Sequence, residues 1–195
     1  MAFNVDIFRS ALAFDGARPN LFECVLQFPN YVELGSLAGS TSRFFCKTAQ
    51  LPGSTIGSVT VPYWGREVKV AGNRTFAEWS VTIINDETFV IKNAFERWHR
   101  GINENTANLR DFRALSTSPA TPGISYAVDM EVRQYTKFGG RPSKKYKFVG
   151  AFPTDIAAID LDWGSNDAIE EFSVTFAYQY WTSVDSSVAN PVTGG

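Results

Sequence analysis

Apolar and polar residues alternate along much of this chain, and an alternation of period two marks a strand with one buried face. From Asn20 to Phe28, the side chains of Phe22, Cys24, Leu26 and Phe28 fall on one side, with Glu23 and Gln27 opposite. Ala77, Trp79, Val81 and Ile83 alternate in the same way with Glu78, Ser80 and Thr82. Between Tyr126 and Lys137, the set Tyr126, Val128 and Met130 opposes Asp129, Glu131 and Arg133. Glu171 to Trp181 is the cleanest run, with Phe172, Val174, Phe176, Tyr178 and Tyr180 against Ser173, Thr175, Ala177 and Gln179. Weaker strands are predicted at about 43–49, 56–62, 66–71, 144–149 and 156–161. Leu51-Pro52-Gly53 punctuates one connection, Tyr63-Trp64-Gly65 joins two short strands as a hairpin, and Phe138-Gly139-Gly140-Arg141-Pro142 marks another hairpin or loop.

One helix interrupts this pattern. From Asp86 or Glu87 to about Asn103, the residues Ile91, Ala94, Phe95, Trp98 and Ile102 recur at helical spacing. Asn85 or Asp86 is the expected N-cap, and Gly101 the expected point where the helix weakens or stops. A shorter helical stretch is predicted over Val5 to Phe14. Residues 104–125 read as a long loop, and 182–195 as a polar C-terminal tail that frays unless a neighbour holds it. The expectation is a single domain over 1–195, opened by an N-terminal segment (1–19). It is mainly β, an antiparallel barrel or sandwich with one flanking α-helix at about 87–103.

Composition narrows the function. Of 195 residues, 44% are apolar and 19% charged, which describes a globular chain. Sixteen Phe, seven Tyr and five Trp favour strands over helices. A net charge of −2 supplies no basic field for gripping nucleic acid. Cys24 and Cys46 each lie in a strand-like apolar run and are read as reduced, buried small hydrophobes. Acidic Asp6 and the lack of a continuous apolar stretch near the start argue against a secretory signal. No apolar run reaches the roughly 20 residues of a membrane-spanning helix. A soluble protein made in a cytoplasm, without membrane anchoring, is expected.

Catalytic chemistry finds no foothold. His99 is the single histidine, lies on the flank of the helix stripe, and has no nucleophile motif to serve. With two isolated cysteines it lacks every usual zinc spacing. Phosphate-binding glycine loops are absent. Asp160 and Asp162 share a face of a strand-like run, but a solvated edge explains them better than a glycosidase pair. The expectation is no enzyme, no cofactor and no metal. A charge pattern does stand out. Arg133, Lys137, Arg141, Lys144, Lys145 and Lys147 form a block without acids, and Asp155, Asp160, Asp162, Asp167, Glu170 and Glu171 form one without cations. Two solvated loops would account for this; so would complementary surfaces that meet between subunits.

Several segments resemble a known family. They are Ala17-Arg18-Pro19-Asn20-Leu21-Phe22, then Phe45-Cys46-Lys47-Thr48-Ala49-Gln50-Leu51-Pro52-Gly53, and most specifically the run from Val61-Pro62-Tyr63-Trp64-Gly65-Arg66 through Gly72-Asn73-Arg74-Thr75-Phe76. Trp79 to Glu87 and Asn93-Ala94-Phe95-Glu96-Arg97-Trp98 continue the likeness. These residues resemble the tail tube proteins of contractile-tailed bacteriophages, which are related to type VI secretion tubes. The resemblance implies hexameric rings stacked into a hollow tube that conducts viral DNA into the host. Its implied partners are further copies of itself, the tail sheath protein, baseplate and tail terminator proteins, and the tape measure protein and viral DNA in the lumen. It implies a virion component assembled in the host cytoplasm. A tube protein of a related injection or secretion system, and a β-sandwich carbohydrate-binding or virion decoration module, are the alternatives.

A chain rich in alternating strands must dispose of its sheet edges, and joining them in a ring does so while leaving a bore. Tyr63, Trp64, Arg66, Arg74, Arg141, Lys144, Lys145, Asp160 and Asp162 are the candidate inter-subunit contacts. The Leu51 to Arg74 segment leads this set because Tyr and Trp are enriched at interface hot spots. Ser58, Thr60, Asp129, Glu131 and Arg133 are candidates for the polar lumen face.

Overall fold

Alternating runs of this kind bury their apolar sides by pairing into a sheet and curling it around a core. The computed structural model describes residues 4–12, 16–106, 108–110, 126–137, 140 and 142–185. Along the chain come α1 (Val5–Ala11), β1 (Phe22–Val25), α2 (Gly35–Phe45), β2 (Cys46–Ala49), β3 (Thr55–Tyr63) and β4 (Arg66–Thr75). Then follow β5 (Trp79–Ile84), α3 (Val90–Ile102), β6 (Val128–Tyr135), β7 (Pro142–Ile156), β8 (Glu171–Ala177) and β9 (Tyr180–Asp185). The main sheet is antiparallel in the order β1-β6-β7-β8-β5-β2, and β9 also pairs with β7. Among the described residues β3 and β4 pair only with each other, as a separate two-stranded sheet.

β7 carries the architecture. Its first part lies between β6 and β9, and its last residues, from Phe152, pair with β8. One long strand thus passes from one half of the sheet to the other, and the core fills the space inside the curl. Trp79 stacks on Phe148 at 4.3 Å between ring centres and lies 5.5 Å from Phe176. α3 closes the open side with Ile91, Ala94, Phe95 and Trp98, all buried. Burying one such large side chain stabilises the fold by about 1.5–3 kcal/mol. The two buried indole N–H groups donate to backbone carbonyls, Trp79 to Gln50 at 2.8 Å and Trp98 to Tyr126 at 2.8 Å. That partnering removes the cost of an unmet buried donor.

The structure departs from the sequence expectations in five places. Helix α2 has no apolar stripe to announce it. Its buried positions are Gly35, Ala38 and Ser42, because it lies close against the chain leaving β1; a Cβ on Gly39 would stand 2.9 Å from the Leu26 carbonyl oxygen. The described residues therefore hold three helices rather than the two helical stretches expected, and the strand expected at 43–49 begins only at Cys46. Helix α3 starts at Val90, not near Glu87, and neither Asn85 nor Asp86 caps it. Asn85 is bound instead to Glu170, backbone to backbone at 2.8 Å and through Nδ2 to Oε2 at 2.9 Å.

Gly101 lies within α3 rather than ending it. A Cβ there would come within 2.2 Å of the Tyr31 ring, which packs against this turn and donates its hydroxyl to the Trp98 carbonyl at 3.2 Å. The run from Glu171 to Trp181 is two strands, not one. It breaks after Ala177 because β8 and β9 pair with different parts of β7. Residues 182–185 of the expected tail consequently belong to β9, while 186–195 lie outside the described residues, as do 107 and 111–125 of the long loop. Finally, β7 ends at Ile156, so no strand covers 157–161 and Asp160 and Asp162 sit in a connecting loop.

Candidate functional site

The β3–β4 arm is the part of the chain that the core leaves unused. Its register pairs Val59 with Val70, Val61 with Val68 and Tyr63 with Arg66, and between these lie the pairs Ser58 with Ala71, Thr60 with Lys69 and Pro62 with Glu67. Side chains alternate across a ribbon, so the four valines and Tyr63 form one face, and Ser58, Thr60, Lys69 and Glu67 form the other. None of the arm's side chains is buried. A stripe of valines exposed to water is not a product of this domain's own packing, since the core is filled without it.

The tip holds the aromatic pair. Trp64 and Gly65 occupy a two-residue turn with φ 48 and φ 77, the twist that fits a tight hairpin. Glycine takes such a φ freely, but a tryptophan there is unfavourable, and Trp64 is 92% exposed with its ring 6.3 Å from that of Tyr63. At its base the arm is held to the domain. The Trp181 indole donates to the Gly53 carbonyl at 3.1 Å, and Phe76 packs against Tyr178 and Trp181.

A second polar surface lies on the outward side of β1, β6 and β7. Arg133 donates to Glu131 at 2.6 Å and pairs with Glu23 at 3.4 Å, and Lys147 pairs with Asp129 at 2.7 Å. Tyr135 donates its hydroxyl to Glu23 at 2.7 Å. Burial pulls the Arg133 guanidinium down, but its hydrogen bond to Glu131 and the two nearby carboxylates outweigh that and raise it. The hydrogen bond to Glu23 raises the Tyr135 phenol, and the bond to Asp129 raises the Lys147 ammonium. Across β1, β6 and β7, Glu23, Arg133 and Lys145 stand side by side, and Glu131 stands opposite Lys147, so acids and bases are mixed on this face.

The structure brings some predicted positions together and separates others. Tyr63, Trp64 and Arg66 meet at the arm tip, with Arg74 nearer its base opposite Ile56. Ser58 and Thr60 lie on the arm, whereas Asp129, Glu131 and Arg133 lie on β6 in a different sheet. Lys144 and Lys145 lie near the start of β7, and Arg141 falls outside the described residues. Asp160 and Asp162 lie in the acidic loop after β7, which also exposes Leu161, Trp163 and Ile169; Trp163 is 100% exposed. Sequence reasoning passed over these three apolar residues and over Phe44, while Ile7 and Phe8, which it places on one face of the short N-terminal helix, are exposed as well. Trp163 continues the alternation of Ile159 and Leu161 with Asp160 and Asp162, and that strand-like pattern hid its exposure.

Enzyme-like features are weak. An open depression of about 480 Å³ near Tyr31, Arg97, Arg100 and Arg110 has its Arg97 tied to Glu33 at 3.0 Å. His99 is half-buried, with Nε2 3.2 Å from the Pro153 carbonyl. Among the described residues no group of His, Cys, Asp and Glu is arranged to hold a metal ion, and no helix is long and apolar enough to cross a membrane.

A main antiparallel sheet with a separate exposed hairpin has relatives among known proteins. The family model described as phage tail tube protein matches residues 17–184. The tail tube protein gp19 of Enterobacteria phage T4 is 33% identical over 176 residues, covering 90% of this chain and 97% of that protein. Two solved structures share the fold. One is the tube-terminating cap of the anti-feeding prophage, with TM-score 0.60 at 13% identity over 87% of this chain and 91% of the other. The second is a sheath–tube complex of an extracellular contractile injection system, with TM-score 0.55 at 11% identity over 91% and 97%. The chain belongs to the phage tail tube protein family, a structural family of contractile-tailed phages, and is a virion component.

Proposed function

We propose that identical copies of this chain join side by side into hexameric rings, that the rings stack into a hollow tube, and that viral DNA passes through its bore into the host. The arm is the observation that carries this reading. Among the described residues its valine face, with Tyr63 and Trp64 at the tip, is left exposed, and a neighbouring copy would offer a surface that repeats in register around a ring. Contacts of one patch against a different patch on the next copy generate rings when the rotation closes.

With the valine face turned to a neighbour, Ser58 and Thr60 point the other way, toward the bore. The mixed-charge face of Asp129, Glu131 and Arg133 suits the same wall. A wall without strong positive field lets DNA slide, because each cation that neutralises a phosphate adds grip. Lys144 and Lys145, with Arg141, and the acids Asp160 and Asp162 serve the stacking of one ring on the next, where opposite charges set register. The sheath protein encloses the tube, baseplate and terminator proteins meet its ends, and the tape measure protein occupies the lumen before DNA does. Assembly takes place in the host cytoplasm.

Electron microscopy of purified protein at high concentration tests the reading. Wild type should give rings or tubes with a central hole, and Trp64→Ala a folded, soluble monomer. Normal tubes from Trp64→Ala would remove the arm from the interface, and a wild type that stays single-copy or packs without a bore would remove the tube. Lys144→Glu with Lys145→Glu should shorten the polymers seen by sedimentation; unchanged lengths would rule out charge-guided stacking.

A further inference from the structure

The curled sheet does not close on itself. β1 and β2 are the two ends of the strand order, one bonded only to β6 and the other only to β5. Their backbones nevertheless approach within 8 Å, with no ladder between them. Helix α2 connects the two and covers the gap from one side. Both cysteines lie along this seam. Cys24 is on β1, fully buried, and Cys46 opens β2, half-buried and packed against the same core cluster. The strands that carry them approach each other, both side chains pack into one core cluster, and the Cys46 thiol donates to the Thr48 carbonyl at 3.5 Å.

We infer that Cys24 and Cys46 are a redox-sensitive pair poised across the open seam, and that a low-molecular-weight disulfide oxidises them to a bond that ties β1 to β2. The sequence alone gives two cysteines in unrelated strands and favours reading them as inert. The fold makes them neighbours. A disulfide needs Cα atoms about 4.4–6.8 Å apart and sulfurs at about 2.05 Å, a change reached by side-chain rotation once strands already lie side by side. The protein stays reduced in a cytoplasm, where glutathione keeps thiols free, and meets oxidising conditions only when a particle leaves the cell.

The chemistry divides between the two sulfurs by their surroundings. Contact with Cys46 and burial push the Cys24 thiol far up, so it is the poor nucleophile. Cys46, reached more easily from solvent, attacks first. Its thiolate breaks the S–S bond of the oxidant, and one thiol leaves, taking the proton. Cys24 then loses its proton to solvent and attacks Cys46 Sγ, which expels the second thiol. Two protein thiols are oxidised, one external disulfide is reduced to two thiols, and the balance closes. The second step is the slow one.

The test uses the folded full-length protein and oxidised glutathione. After incubation the sample is acid-quenched, denatured and treated with iodoacetamide, and the intact mass is read. Reduced protein should carry two alkyl groups, one per cysteine, and oxidised protein none, without chain-to-chain dimers. Cys24→Ser should stop at a glutathione adduct on Cys46, and Cys24→Ala, which keeps the site apolar, replaces it if the serine variant does not fold. Cys46→Ser should leave Cys24 unmodified until the chain is denatured. Oxidised wild type should melt at a higher temperature than reduced wild type, with no such shift for Cys46→Ser. The proposal is overturned if both thiols remain alkylatable after native incubation, if the bond forms only in denaturant, or if it links different chains.

Discussion

Strand β5 alternates Trp79, Val81 and Ile83 with Ser80 and Thr82, and strand β3 alternates Val59, Val61 and Tyr63 with Ser58 and Thr60. In β5 the first set is buried, with Trp79 packed on Phe148 of β7 and Phe176 of β8. In β3 every residue is exposed, and among the described residues the strand pairs only with β4. The pattern is the same in both, so alternation specifies that a strand has an apolar face without saying which molecule covers it. The difference lies in size. The β5 face ends in a tryptophan that fills a core, whereas the arm carries small β-branched valines suited to a flat, adaptable contact.

That contrast can be broken by substitution. Trp79→Ala should cost about 3–5 kcal/mol of unfolding free energy in urea titrations, the range for emptying a packed aromatic site. A cost below about 1 kcal/mol, within ordinary mutational scatter, would mean that the β5 face is not the core. Gly101→Ala should cost about 1–3 kcal/mol by overpacking against Tyr31, despite the gain of about 1 kcal/mol in helix propensity. A stabilised Gly101→Ala protein would show that Tyr31 yields easily.

Tyr135→Phe should cost about 1 kcal/mol, the net worth of one hydrogen bond. Because Glu23 raises the phenol above its ordinary value of 10.0, that contribution is whole below pH 10 and lost as pH climbs through the raised value. The gap between wild type and variant should therefore persist at neutral pH and close only in strongly alkaline solution. Val61→Thr combined with Val68→Thr should shift stability by no more than about 0.5 kcal/mol, as surface changes do, yet reduce tube formation seen by electron microscopy. A large loss of stability would place the arm's valines in the monomer's own core.

Much of the fold was legible because large residues repeat with a clear period. Phe172, Val174 and Phe176, like Ile91, Phe95 and Trp98, identify a buried face without help from neighbours. Helix α2 was illegible because its buried contacts are made by Gly35, Ala38 and Ser42, which carry no hydrophobic signal. The division between β8 and β9 was hidden since Tyr178 and Tyr180 continue the alternation through the break, and only the course of β7 decides where pairing changes. Of the site, Tyr63 and Trp64 could be read from the turn, but the isolation of the arm could not, because a sequence does not show that a strand lacks a second neighbour. The acidic residues Asp160 and Asp162 were mistaken for strand residues as alternation of Ile159 and Leu161 imitates one.

The order in which the chain is made gives the arm another meaning. β3 and β4 meet across a two-residue turn, so they can pair as soon as Thr75 has left the ribosome. β1 must wait for β6, whose Gln134 pairs with Phe22, and β5 must wait for β8. Hairpins close in microseconds, whereas synthesis proceeds at about 5–20 residues per second. The arm is therefore complete for seconds before the body that will position it exists, and nascent chains on neighbouring ribosomes carry finished hairpins on unfinished domains.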